Sequence, residues 1–122
     1  MNKEFVEYKE ALALKELGFD EPCLAIIWEN EYIVHITDTR PDENTKMKWC
    51  ETPLYQQAFR WFRENHDMHH GIGFNGSWYY DIDSMKNTDN AVYEVAHKWD
   101  MKTYEEAEFE CLKKLIEIAK TK

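Results

Sequence analysis

The stretch Gly71-Ile-Gly-Phe-Asn-Gly-Ser-Trp-Tyr-Tyr80 decides the fold class. Asn75-Gly76 lies between apolar residues, and an Asn-Gly pair readily supplies the two positive-φ positions of a tight hairpin turn. Strands over 70–74 and 77–82 are therefore expected to pair antiparallel. A two-residue loop sets Phe74 opposite Ser77, Ile72 opposite Tyr79 and His70 opposite Asp81. On the other face the same register sets Gly73 against Trp78 and Gly71 against Tyr80, large rings over backbone that glycine leaves bare. Both faces of such a hairpin are apolar. Two outcomes are open for such a face: either the sheet is sandwiched and these rings are core, or Trp78, Tyr80 and Ile82 form a surface used for association, a second copy being the simplest covering chain.

Working outward, a helix near 5–17 is marked by the stripe Val6, Ala11, Leu14 and Leu17, with Gly18 as its left-handed stop and Phe19 packing back. Pro22 blocks continuation, and Cys23-Leu-Ala-Ile-Ile-Trp28 reads as a buried strand, with a return strand over 32–37 across a turn at Asn30. Residues 38–51 read as a loop. Thr52-Pro53 reads as the N-cap and first position of a helix near 53–65, with Leu54, Tyr55, Ala58, Phe59 and Phe62 inward. Residues 91–95 suit a third strand or a short helix. Thr103-Tyr-Glu-Glu106 is a capping box opening a helix near 103–119, with Ala107, Cys111, Leu112, Leu115, Ile116 and Ile118 inward.

This order, α-ββ-α-ββ(β)-α, predicts an α+β fold: one domain over 1–122, with three helices packed on a single antiparallel sheet. A faint repeat at an offset of 45 aligns Leu14 with Phe59, Leu17 with Phe62 and the Asn30 turn with the Asn75 turn.

Composition bounds the function. The 122 residues carry 24 Asp+Glu against 15 Lys+Arg, a net charge of −9 that repels phosphate backbones and argues against direct nucleic-acid binding. The longest apolar run, Cys23 to Trp28, is six residues, far short of the roughly 20 that a membrane helix needs. The N-terminus carries charges where a signal peptide needs an apolar run. Cys23, Cys50 and Cys111 show no disulfide-framework or zinc spacing, so a reducing, cytoplasmic setting is expected.

The most chemical segment is His66, Asp67, His69 and His70, whose imidazoles and carboxylate suit zinc, iron or nickel. Only His66 and His70 have helical i, i+4 spacing, and Gly71 and Gly73 indicate that the chain has already become a strand. No second ligand cluster closes the site, so neither metal nor cofactor is expected. The cross-strand pair His70–Asp81 is placed to orient an imidazole, yet no nucleophile is positioned beside it. Phosphate-binding glycine loops, nucleophile elbows and zinc-protease motifs are absent, which argues against an enzyme.

Three blocks carry a resemblance: Glu10-Ala-Leu-Ala-Leu-Lys-Glu-Leu-Gly-Phe-Asp-Glu-Pro-Cys23, Thr52-Pro-Leu-Tyr-Gln-Gln-Ala-Phe-Arg-Trp-Phe-Arg-Glu64, and Thr103-Tyr-Glu-Glu-Ala-Glu108 with Cys111-Leu-Lys-Lys-Leu-Ile116. In these the chain resembles a family of small uncharacterised proteins of Bacteroidales and their phages and prophages. The resemblance implies an intracellular origin in a bacterium or its mobile elements, and no activity, ligand or catalytic residue.

The expectation is therefore a non-catalytic interaction module whose partner is a protein, a homodimer being one such pairing. Two alternatives come from other classes. One is an acidic phage-type inhibitor that mimics nucleic acid in the basic groove of a host enzyme, which requires carboxylates in a continuous stripe. The other is a metal-dependent hydrolase built on His66 and His70.

Overall fold

A computed structural model describes residues 4–35, 46–84 and 93–121. The expected strand end at 36–37, loop residues 38–45 and the start of the third strand at 91–92 lie outside the described residues. The elements are α1 (Tyr8–Glu16), β1 (Ala25–Trp28), β2 (Ile33–His35), β3 (Trp49–Thr52), α2 (Tyr55–His66), β4 (Met68–Phe74), β5 (Trp78–Ser84), β6 (Tyr93–Met101) and α3 (Tyr104–Lys120). The fold is α+β, but the expected single sheet is two: three antiparallel strands ordered β2-β1-β3, and three ordered β4-β5-β6. Contacts gather into two compact units, Met1–Tyr55 and Gln56–Lys122.

In the first unit α1 ends as its glycine predicts. Gly18 has φ 104°, Phe19 N–H donates to the Leu14 carbonyl at 3.0 Å, and Phe19 is buried. This is the 6→1 bond of a Schellman stop, with the ring of the following residue packed back. Ala11 and Leu14 are buried as expected, and so is Glu10. The turn after β1 places Glu31 at φ 71°, and Asn30 Oδ1 accepts from Tyr32 N–H at 3.1 Å.

Residues 49–51 of the expected loop 38–51 form β3 together with Thr52, so β1 is paired on both edges, by β2 and by β3. Cys50 pairs with Ile27 and Thr52 with Ala25, and both are buried while Trp49 and Glu51 are half-exposed. Four residues are too few to set a period-two pattern apart from the charged chain around them. Thr52 consequently does not cap α2. Its buried hydroxyl donates to the Val6 carbonyl, Val6 N–H donates to the Pro53 carbonyl at 3.0 Å, and Phe5 bridges Leu54. The helix begins at Tyr55, two residues later than the proline suggested.

In the second unit Ala58, Phe59, Trp61 and Phe62 of α2 are buried, and α3 buries Ala107, Cys111, Leu112, Leu115 and Ile116. The capping box holds: Thr103 Oγ1 accepts from Glu106 N–H at 3.0 Å, and the Glu106 carboxylate accepts from Lys102 N–H at 3.1 Å. β6 runs to Met101, well beyond the weak strand read at 91–95. The offset-45 similarity is not a duplicated topology. Each unit has a helix and a hairpin, but the central strand is the first of the hairpin in one sheet and the second in the other. Among the described residues no helix is long and apolar enough to cross a membrane.

Candidate functional site

The β4-β5 hairpin closes on a three-residue loop. Phe74 pairs with Trp78, Gly73 with Tyr79, Ile72 with Tyr80, Gly71 with Asp81 and His70 with Ile82. The tight turn anticipated at Asn75-Gly76 needs positive φ at both residues, and here Gly76 has it, at 84°, while Asn75 does not. Adding one residue to the loop exchanges the cross-strand partners of every side chain on β5.

This corrects the expected association surface. Tyr80 and Ile82 are 5% and 0% exposed, Trp78 packs edge-on against Tyr104 of α3 with centroids 5.5 Å apart, and α3 lies along β5. These three residues belong to the core of the unit, covered by the chain's own helix rather than by a partner. Burial, with Cys111, Glu110 and Glu117 nearby, pushes the Tyr80 hydroxyl up to about 12, so it stays protonated at any physiological pH.

The same register difference separates His70 from Asp81, which pairs instead with Gly71 and His97. The His70 ring stacks on Phe59 at 3.8 Å and 12°, leaving its buried Nδ1 without a hydrogen-bond partner. Burial, with the Arg63 guanidinium nearby, lowers its pKa to about 4 and keeps it neutral. His69 Nε2 meets Asp67 Oδ1 at 3.1 Å, and Ser84 Oγ donates to Asp67 Oδ2 at 3.3 Å. His66 lies against Trp61 and Phe62. The histidines of this segment thus point into different surroundings, and adjacent strand residues His69 and His70 project from opposite faces. The ligand pair His66 and His70 required for a hydrolase is not assembled into a group of three, and among the described residues no three His, Cys, Asp or Glu are arranged to hold a metal ion.

What the structure does assemble is the other face of the β4-β5-β6 sheet. Both helices of this unit engage the first face: α3 through β5, and α2 through the Phe59–His70 stack. On the second face Tyr79 lies over Gly73, where an added Cβ would meet the ring. Trp99 stacks on Tyr79 with centroids 4.7 Å apart and an interplanar angle of 32°, and His97 approaches Trp99 edge-on at 6.4 Å. Trp99 is 48% exposed.

A bulge delivers this tryptophan. Trp78 pairs with Met101 and Tyr80 with Lys98, so Trp99 and Asp100 together oppose Tyr79, and Asp100 takes φ 65°. Lys98 turns the other way and pairs with Glu110 of α3 at 3.0 Å. Further along the sheet Asp81 sits between Gly71 and His97, and Asp83 lies opposite His69. The face therefore carries an aromatic pair flanked by carboxylates and imidazoles.

Sequence reading missed Trp99 and His97 because it stopped the third strand at Val95. The alternation His97, Trp99 against Lys98 is the period-two signal that extends it.

No known protein family, curated protein or solved structure matches the chain.

Proposed function

We propose that this protein is a non-catalytic interaction module that associates with a second copy of itself through the Tyr79–Trp99 face of the β4-β5-β6 sheet. The observation that carries the reading is the half-exposed Trp99 ring held on Tyr79, on the sheet face opposite the two helices of its unit. Large rings ordered by their neighbours and left open to water are typical anchors of association. The occupant follows from complementarity. Asp81 and Asp83 supply acceptors, His69 and His97 supply donors, and all four lie on the same face as the rings. A patch containing both members of each polar pair meets its own copy about a two-fold axis without like charges opposed. The family resemblance adds only a setting, a bacterial or prophage-encoded chain.

Sedimentation tests the reading: wild-type protein forms a dimer, and Trp99→Ala shifts it to monomer with unchanged far-UV circular dichroism. A wild-type chain that stays monomeric at several hundred micromolar, or a Trp99→Ala dimer, overturns it. Nothing specific favours nucleic-acid mimicry: Glu110 and Glu117 of α3 are matched by lysines in the pairs Lys98–Glu110, Lys113–Glu110 and Lys114–Glu117.

A further inference from the structure

We propose that Asn75 is a self-modification site: at the exposed tip of the β4-β5 hairpin the Gly76 amide nitrogen closes on the Asn75 side chain, and the chain converts there to aspartate and isoaspartate. Asparagine is thermolabile because its carboxamide carbon lies one ring closure away from the next backbone nitrogen. Chain order selects this asparagine first. Asn75 is followed by Gly76, and no other asparagine of the chain is followed by glycine. A side chain on the next residue crowds the attacking nitrogen, and glycine has none. The fold then selects it again. Asn30 Oδ1 accepts from Tyr32 N–H at 3.1 Å, and Asn65 Nδ2 donates to the Trp61 carbonyl at 3.1 Å from within α2. Asn75 donates its backbone N–H to the Ser77 carbonyl at 3.0 Å, but among the described residues its carboxamide and the Gly76 N–H have no hydrogen-bond partner. Both residues are exposed, and a Cβ built on Gly76 would meet nothing within 4 Å, so base and water reach the peptide from solvent.

Water is the only co-reactant. Hydroxide takes the Gly76 amide proton, the nitrogen bonds to Asn75 Cγ, and the Cγ–Nδ2 bond breaks, with ammonia leaving on a proton from water. Water then opens the succinimide at either carbonyl and returns the proton to the Gly76 nitrogen. Breaking the bond from Cγ to that nitrogen gives aspartate. Breaking the bond from the backbone carbonyl carbon gives isoaspartate, whose main chain runs through Cβ and Cγ and is longer by an extra atom. Either product adds a carboxylate to a tip where Ser77 Oγ already donates to Asp100 Oδ1 at 3.4 Å. Loop length fixes the register of a hairpin, so the extra atom acts on the Phe74–Trp78 pair that closes it, whose rings meet edge-on at 5.2 Å. None of these steps needs a second copy, so a monomeric chain would overturn the association reading and leave this one standing.

Full-length protein is aged at mildly alkaline pH, folded and in urea, then digested for peptide mapping by mass spectrometry, with isoaspartate scored by its specific enzymatic methylation. Asn75 should convert in the folded protein within about tenfold of its rate in the unfolded chain, while Asn30 and Asn65 convert only in urea. Mildly acidic pH should slow the conversion at least about tenfold, since the amide then keeps its proton. Asn75→Gln, which has to close a larger ring, should stay intact. The isoaspartate form, separated by anion exchange, should shift the Trp78 indole resonance, whereas fresh Asn75→Asp, with the charge but no extra main-chain atom, should leave that resonance in place. Folded protein that converts Asn75 more than about tenfold slower than the unfolded chain overturns the proposal. So does equal loss at Asn30 or Asn65 in the folded state, or an isoaspartate form whose Trp78 resonance matches that of Asn75→Asp.

Discussion

The Tyr79 ring occupies the space in which Gly73 would carry a Cβ. The two residues are direct cross-strand partners, so the bare backbone of one strand is the floor on which the ring of the next lies, and Trp99 stacks on that ring in turn. Glycine is needed here for close approach rather than for an unusual backbone angle.

Gly73→Ala should therefore push the end of the Tyr79 side chain aside and disrupt its stack with Trp99. The flexible ring absorbs the clash, so the stability cost should be about 1 kcal/mol, at the low end for overpacking. The near-UV circular dichroism of the Tyr–Trp pair should weaken and self-association should fall. Gly71→Ala is the control: nothing lies within 4 Å of a Cβ there, and neither signal should change.

His70 makes stability fall in mild acid. Its pKa is lowered from 6.5 to about 4, so between those values the unfolded chain binds a proton that the folded chain refuses. Stability is full above about 6.5 and declines as pH drops toward 4, by at most about 3 kcal/mol before residual solvent contact is discounted. Urea denaturation at stepped pH should show this loss, and His70→Leu should abolish it. An unchanged pH profile in that variant would place the titration elsewhere.

Glu108 acts in the opposite direction. Burial raises its pKa from 4.5 to about 7, against a lowering hydrogen bond from Tyr104 and with Glu105 adding repulsion. Here the folded state holds the proton more tightly, so the stabilisation is complete below about 4.5 and is lost as pH rises through 7, at most about 3 kcal/mol before residual solvent contact is discounted. Glu108→Gln mimics the neutral form and should raise the urea midpoint at pH 8 while leaving it nearly unchanged at pH 4.5. Tyr104→Phe should raise the carboxyl pKa further, read by the same titration.

Thr103→Ala should cost about 1 kcal/mol, because the Glu106 N–H at the start of α3 loses its acceptor. Thr52→Ala tests a different role. Its hydroxyl is bonded to the Val6 carbonyl, so the loss should appear as faster amide exchange around 5–7 and 52–54, with the amides of α2 unaffected.

Local signals were strong wherever one residue and its neighbours on the chain settle the outcome. Gly18 with Phe19 ended α1, the Thr103–Glu106 box opened α3, and the apolar stripes of α2 and α3 were assigned from spacing alone, because caps and helical periodicity act within a few residues. What required tertiary structure was everything decided by pairing. The hairpin turn was legible, but its loop length was not, and one residue of register moved Tyr80 and Ile82 beneath α3 and set Tyr79 over Gly73. The buried β3 was hidden in a charged segment because its partner lies more than twenty residues away on the chain. The Tyr79–Trp99 face arises between strands distant in sequence, where no short-range pattern records which side chains will meet.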